Sequence, residues 1–354
     1  MTPLGQIRRL IRESNCDFAL LSDPAELRWA VGFTGSNGLL LVGRDQSHFF
    51  TDSRYTVQAA SEVTTARVHL AESSLVSSLS DLAVLEERCS VVFSSDKLTV
   101  AQYRSYQKKL TQAEFVPIDS FLSEAIAQKT DAQVEAVRRA QALTCEVFEG
   151  LVSQIKPGVT ERDIGAEIVY QHLSRGASAM SFEPIVAGGA RGAKPHARPS
   201  SHALEKGDMV VIDMGCVLDG YCSDMTRTVS LGEPSGEARR AYDAVRAAQI
   251  AAIEVAAAGL TGSDLDSVAR SVLEDAGFGD AFSHSLGHGV GLEVHEWPRL
   301  SSKVDHVLPP NATVTIEPGV YIEGEFGIRI EDLIVLREGG NDNLTPLSTE
   351  LIVL

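Results

Sequence analysis

Hydrophobic and polar residues alternate with two different periods along this chain, and the switches between them mark its elements. Within the first 125 residues Gln6–Glu13 follows helical spacing, whereas Phe18–Leu21, Gly38–Val42, His48–Thr51 and Val91–Ser94 are short apolar runs of strand character. Such alternation predicts a layered α/β domain. From about Ser123 to Ile155 the pattern is helical, with Val134, Val137, Val147, Leu151 and Ile155 at roughly helical spacing. The change falls at Lys129-Thr130-Asp131, so the expected division is one domain over 1–125 and a second over 126–354. Thr160, with Asp163 three positions on, caps the next helix; Ile164, Ile168 and Leu173 form its apolar face and Gly176 closes it.

Met209–Leu231 reads as a β-hairpin folded at Asp219-Gly220, a strong tight-turn signal. Asp213 stands in its apolar outgoing run and Asp224 on the return strand. Their numbers sum to an odd value, so an even-numbered loop places them opposite or one step diagonal on one face of the ribbon. Buried like charges persist when paired with a cation or metal, or when one is protonated. The plainer alternative buries one aspartate with hydrogen bonds and leaves the other at the rim.

The same order of features recurs downstream. Gly158-Val159-Thr160 through Gly176 is matched by Gly259-Leu260-Thr261 through Gly277 at an offset of 101 residues. Asp213-x-Gly215, Asp219-Gly220 and Asp224 are then matched by Glu317-x-Gly319, Glu323-Gly324 and Glu331. Helix followed by acid-bearing hairpin, twice, implies two related halves. The second hairpin, Ala312–Ile322 with Phe326–Leu336, turns about Gly324, and an odd-numbered loop there brings Glu317 and Glu331 to one face. Arg329, two positions before Glu331, shares that face. Four carboxylates then converge, and such a cluster needs cations.

Composition narrows the partners. The 354 residues are 44% hydrophobic and carry a net charge of −17, which suits a globular chain and disfavours nucleic acid or an anionic membrane surface. Cys16, Cys89, Cys145, Cys216 and Cys222 are scattered without a CxxC, and Cys216 and Cys222 should point to opposite faces of their hairpin. No disulfide framework is expected, and with charges across the N-terminal residues a cytoplasmic protein is the expectation. The glycine-rich Gly32–Gly38 lacks the spacing of a phosphate loop. Asp52, in Thr51-Asp52-Ser53-Arg54-Tyr55, is read as a helix cap followed by an ion pair with a structural role.

Between the hairpins lies His284-Ser-Leu-Gly-His288-Gly-Val-Gly-Leu-Glu-Val-His295. Glycines at 287, 289 and 291 break any helix through His288, so His284 and His288 are not a helical zinc pair. They instead let the backbone press close to a ligand, with His288 offered from a loop. Oxygen donors with one imidazole suit two hard or borderline divalent ions about 3.5–4 Å apart.

Asp213, Asp224, His288, Glu317 and Glu331, in the contexts IDMG, SDMTRT, SLGHGVGLEVHEWP, TIEPGVYI and GIRIEDLIVL, resemble the pita-bread metallopeptidases: methionine aminopeptidase, aminopeptidase P and prolidase. TGSNG and TDSRY resemble the creatinase-type N-domain of the proline-specific branch, so the resemblance covers the whole chain. It implies an α+β fold, a pseudo-twofold pita-bread catalytic domain preceded by an α/β creatinase-type domain that roofs the cleft and serves oligomerisation. It further implies two divalent ions, Mn²⁺ first, with Co²⁺, Zn²⁺ or Fe²⁺ as alternatives. Asp213 would chelate one, His288 and Glu317 the other, and Asp224 and Glu331 would bridge them. Glu317 would also be the general base, His196 and His295 would handle the substrate amide and the tetrahedral intermediate, and His284 and Arg329 would shape the pocket beyond the scissile bond. For Arg329 a salt bridge to Glu331 or Asp332 is the competing reading.

The activity implied is removal of an N-terminal residue before proline, by an Xaa-Pro aminopeptidase acting on proline-containing peptides as a homodimer or larger homo-oligomer. An Xaa-Pro dipeptidase (prolidase) is the near alternative; a metal-free creatinase-like hydrolase or a pita-bread binding module is the distant one. An X-Pro bond is a tertiary amide without N–H, so its leaving nitrogen must be protonated, and histidines near the metals would serve.

Overall fold

Gly38–Val42 and Ser47–Thr51 are buried along their whole length, as befits central strands covered on both faces. The computed structural model describes residues 1–82, 84–85 and 88–354. Contacts divide the chain into two units, Met1–Ile126 and Ala127–Leu354. In the first, helices α1 (Pro3–Glu13), α2 (Pro24–Val31), α3 (Thr56–Glu62), α4 (Leu75–Asp81) and α5 (Val100–Lys109) accompany a six-stranded sheet. Its strands are β1 (Phe18–Leu21), β2 (Gly38–Val42), β3 (Ser47–Thr51), β4 (Arg67–Leu70), β5 (Cys89–Ser94) and β6 (Ala113–Ile118), in the order β4-β3-β2-β1-β5-β6. The β1-β2-β3 meander is antiparallel and the outer pairings are parallel.

The glycine-rich loop before β2 is tied down by its own unit. Glu62 accepts from the Thr34 amide and hydroxyl at 2.8 and 2.7 Å, Asp52 accepts from Asn37 at 2.6 Å, and the Ser36 and Tyr55 hydroxyls share a bond. Carboxylates thus hold the Thr34 and Asn37 donors and Tyr55 holds Ser36. Asp52 caps the turn Ser53–Tyr55 and takes two 2.9 Å bonds from Arg54, the capping and pairing expected of it.

From Ser123 onward two sequence expectations need correction. The helical stretch 123–155 is two helices, α6 (Ser123–Ala127) and α7 (Asp131–Leu151), because Thr130 and Gln133 form a capping box that starts a new helix. In α8 (Glu161–Ser174) Ile164 and Ile168 are buried, but Leu173 is 46% exposed and His172, at 0%, takes the core position. Steps of four from Ile164 lead to residue 172 rather than 173. His172 is satisfied there, donating from Nδ1 to the Ile168 carbonyl at 2.8 Å and meeting the Thr144 hydroxyl at 3.2 Å.

Strands β7 (Ala179–Met180), β8 (Ile185–Gly188), β9 (Met209–Met214), β10 (Cys216–Leu218), β11 (Tyr221–Cys222) and β12 (Met225–Ser230) follow. The first hairpin keeps one register throughout, Thr226 opposite Asp213 and Val217 opposite Cys222. It turns on Asp219 and Gly220, whose φ of 49° and 75° are those of a type I′ turn. That register puts Cys216 and Cys222 on opposite faces, and all five cysteines are free. Val210, Ile212, Met214, Met225 and Val229 pack against Val147, Phe148, Ile164 and Ile168 of α7 and α8.

The second half repeats this with α9 (Gly236–Val255), α10 (Gly262–Asp275), β13 (Gly287–Gly289), β14 (Glu296–Leu300), β15 (Thr313–Ile316), β16 (Gly319–Ile322), β17 (Phe326–Arg329), β18 (Asp332–Arg337), β19 (Gly340–Asn343) and β20 (Ile352–Val353). Val314, Ile316, Ile334 and Leu336 face Val245, Ala248, Leu265 and Ala269. Each hairpin thus gives one face to its own helices and keeps the other for the inner layer. Helices and largely antiparallel sheets together make an α+β fold.

Candidate metal centre

The acids reach the inner layer by parity. Because Asp213 pairs with Thr226, Asp224 lies one diagonal step away on the same face. In the second hairpin Ile316 pairs with Asp332 and Gly319 with Arg329, so Glu317 and Glu331 stand opposite each other across the three-residue loop at Gly324. Threonines stitch the two hairpins together. The Glu331 amide donates to the Thr226 carbonyl at 3.1 Å, and the Thr226 hydroxyl donates to Glu331 Oε2 at 2.7 Å. Thr228 bonds both the amide and the carbonyl of Arg329.

His288 comes from strand β13, not from a free loop, and this corrects the reading of its glycines. A Cβ on Gly287 would fall 2.0 Å from the Thr315 carbonyl oxygen, and one on Gly289 would fall 2.4 Å from that of Trp297. Gly287 and Gly289 make room for neighbouring backbone, and Gly291 for the Glu296 and Lys129 side chains. His288 Nδ1 donates to the Gly289 carbonyl at 3.0 Å, which turns Nε2 inward, 3.3 Å from Glu317 Oε1 and 3.6 Å from Asp224 Oδ2, where it shares a proton with Glu317 that a bound cation would displace.

Asp213, Asp224, Glu317, Glu331 and His288 line a cavity of about 440 Å³ together with His196, His284, His295, Arg299 and Arg329. Every residue placed in the site by sequence is therefore on its wall. Asp224, His288 and Glu331 each offer one donor atom, all within 4.8 Å of one another. Burial, and then the neighbouring carboxylates, raise Asp224 and Glu331 well above the ordinary carboxylate range. Burial also raises Asp213, against the pull of Arg329. At Glu317 burial is outweighed by the hydrogen bond and charge of His288, which hold it at about 2, and the same contact raises His288 despite its own burial.

Asp213 Oδ1 is buried without a hydrogen-bond partner, while Oδ2 takes a 2.6 Å bond from Arg329. An orphaned carboxylate oxygen, crowded acids and an imidazole with its Nε2 turned inward form a donor set that fits hard or borderline divalent cations.

Arg329 pairs with Asp213, not with Glu331 or Asp332 as the competing reading had it; Asp332 instead pairs with Arg227 at 2.7 Å in the core. Arg329 also donates to the Tyr321 hydroxyl at 2.7 Å. His284 donates from Nδ1 to the Ser285 carbonyl, so its Nε2 accepts from Tyr321 at 3.0 Å. His295 stands edge-on to His288 with ring centroids 4.4 Å apart. Desolvation in the cavity and then the His288 charge lower its pKa, although its outer edge is open to solvent. His196 is exposed at the rim.

Sequence reasoning missed Tyr321, Arg227, Arg299, Thr226 and Gln141. Gln141 brackets Asp224 by bonding both its amide and its carbonyl. Thr226 was legible, because it lies two positions after Asp224 on the same face; Gln141 was not, because α7 carries no sign of which strand it meets.

Fold and donor set define a metal-dependent hydrolase with acids at its centre and histidines around it. Residues 135–338 match metallopeptidase family M24, and residues 3–125 match the creatinase/prolidase N-terminal domain. The chain is 35% identical to the uncharacterized peptidase YqhT of Bacillus subtilis over 99% of both. It superposes with a TM-score of 0.96 on an Xaa-Pro dipeptidase from Bacillus anthracis, 34% identical over 99% of each chain. It also resembles an X-Pro aminopeptidase from Thermotoga maritima, TM-score 0.90 and 36% identical over 98% of this chain and 100% of that one. The chain belongs to metallopeptidase family M24 and is a metallo-exopeptidase.

Proposed function

We propose that the protein hydrolyses the bond between an N-terminal residue and a following proline, using two divalent ions of which Mn²⁺ is the first candidate. The observation that carries this reading is the cavity itself, in which five metal-donor side chains share one wall with three further histidines. Asp213, His288 and Glu317 would be terminal ligands, and Asp224 and Glu331, one from each hairpin, would bridge. The ions, when bound, supply Lewis acidity and make water nucleophilic at neutral pH.

The chain's own groups do the rest. Glu317, steadied by a 3.0 Å bond from the Thr315 hydroxyl, accepts the proton of the attacking water. A tertiary amide gives no N–H to grip, so its nitrogen leaves only when protonated; His196 and His295, at the rim, are placed to hold that proton. His284 and Arg329, joined through Tyr321, form the wall that meets the residue after the scissile bond.

On substrate length the first reading is an aminopeptidase. His196, Arg198, His295 and Arg299 are exposed where the cavity opens, which leaves an exit for a chain continuing past proline. Arg299 favours a second reading as a dipeptidase. It sits across the strand pair from His288, lines the cavity and, among the described residues, enters no ion pair, so it is available to a free carboxylate.

Competition between Ala-Pro and Ala-Pro-Ala, followed by mass spectrometry on Mn²⁺-loaded protein with a chelated control, separates the two. Release of alanine from the tripeptide is the expected result. Cleavage confined to Ala-Pro, with a raised KM in Arg299→Ala, would give the dipeptidase, and absence of chelator-sensitive cleavage would remove both.

A further inference from the structure

His196 sits in the stretch between the end of β8 and Ser200, on an exposed turn that follows a short 3₁₀ segment, Gly189–Ala193, and is itself outside any helix or strand. A group that must hold a proton at a defined point cannot wander with a surface loop. The stretch is nevertheless fixed at both ends, and by one residue outside the cavity.

Glu161, the first residue of α8, is fully buried. Among the described residues its carboxylate receives donors only from this loop. Gly188 N bonds Oε1 at 3.1 Å; Arg191 Nε bonds both oxygens at 2.9 Å; Ser200 bonds Oε2 through its amide at 2.9 Å and its hydroxyl at 2.7 Å. Arg191 then reaches on to the Arg198 carbonyl at 2.8 Å. Both ends of the loop, with its inner turn, close on a single buried anion. Next along the helix, Gly165 leaves room for Pro199, which a Cβ would approach to 3.1 Å.

The second half repeats the construction with its two positions exchanged. One residue past the cap of α10 stands Gly262, where a Cβ would meet the Arg299 carbonyl oxygen at 2.3 Å. Five past the cap stands Asp266, fully buried, which takes Arg270 and the Leu286 amide, while Arg270 holds the Phe282 and His284 carbonyls. In each half one acid and one glycine on the first turns of the helix seat a histidine-bearing loop.

We propose that Glu161 is a positioning residue for hydrolysis, acting through His196 by anchoring the 188–200 loop. This rests on the proton-handling role given to His196 above. Glu161→Gln keeps the shape of the side chain but turns an N–H donor toward donors at whichever end the amide nitrogen takes.

The experiment is a double-mutant cycle on Mn²⁺-loaded full-length protein with Ala-Pro and Ala-Pro-Ala, with metal content measured throughout. Glu161→Gln should lower kcat/KM by about tenfold or more in the wild-type background and less than about twofold in His196→Ala, with metal content unchanged. Deuterium exchange across 186–202 should quicken while that around Asp224 stays as it was. Should Glu161→Gln fail to fold, Ser200→Ala, which removes one donor, should show the same pattern at about threefold.

An equal loss in both backgrounds, unchanged exchange across 186–202, or loss of metal in step with activity would overturn the proposal. Full activity of His196→Ala alone would instead strike the role given to His196, and unchanged or quickened exchange would then decide against or for the anchor.

Discussion

At the scale of single residues the site is a problem in charge. Four carboxylates face one cavity and Arg329 is the guanidinium bonded within it, to Asp213. Asp224 and Glu331 are buried, and burial first and then the charges of neighbouring carboxylates push their carboxyls far up. A bound cation relieves both, whereas an amide keeps the shape without the charge. Asp224→Asn and Glu331→Gln should therefore each lower divalent-metal content measured on the purified protein and reduce turnover by about 100-fold or more. Asp52→Asn, which disturbs the Arg54 pair and the bond from Asn37 within the N-terminal unit, should leave metal content unchanged. Full activity in either of the first two variants would refute the two-ion site. The convergence of acids was legible from numbers alone, since strand parity depends only on loop length. Tyr321 was not, because its link to His284 and Arg329 arises only once β16 and β17 pair.

At the scale of elements, the errors of sequence reading are errors of period. Leu173 reads from the sequence as part of the core face of α8, yet helical steps from Ile164 and Ile168 put His172 inward. A histidine with both ring nitrogens bonded sits there without penalty. The consequence is measurable by urea denaturation. Leu173→Gln should change stability by less than about 0.5 kcal/mol, as surface changes do, whereas Ile168→Ala, emptying a packed position, should cost about 2–5 kcal/mol. A large loss from Leu173→Gln would mean that its face is covered in solution. The glycines around His288 teach the same lesson in reverse: their backbone need was visible in the sequence, but the object pressed against them was a neighbouring strand, not a ligand.

At the scale of the whole molecule, the internal repeat was the most informative signal, because two halves with helix and acid-bearing hairpin in the same order already demand a shared inner face. The N-terminal unit carried no such clue to its chemistry, and one of its buried groups gives it a pH dependence of its own. Glu26 on α2 is 3% exposed, bonded to the Ser94 hydroxyl, and burial pushes its pKa to about 7 against that bond. Its folded form thus binds a proton more tightly than the unfolded chain, where a glutamate titrates near its ordinary value. The stability it contributes is fully present below about pH 4.5 and is lost as pH rises through about 7, by about 3 kcal/mol. Trp29, three residues along the same helix, reports on this unit, and the chain's other tryptophan is Trp297. In a Trp297→Phe background the urea midpoint read from Trp29 fluorescence should fall between about pH 5 and pH 8. Glu26→Gln should flatten that fall, since a neutral amide keeps a partner for Ser94 and has no proton to lose. An equal fall in both proteins would show that Glu26 is not the titrating group.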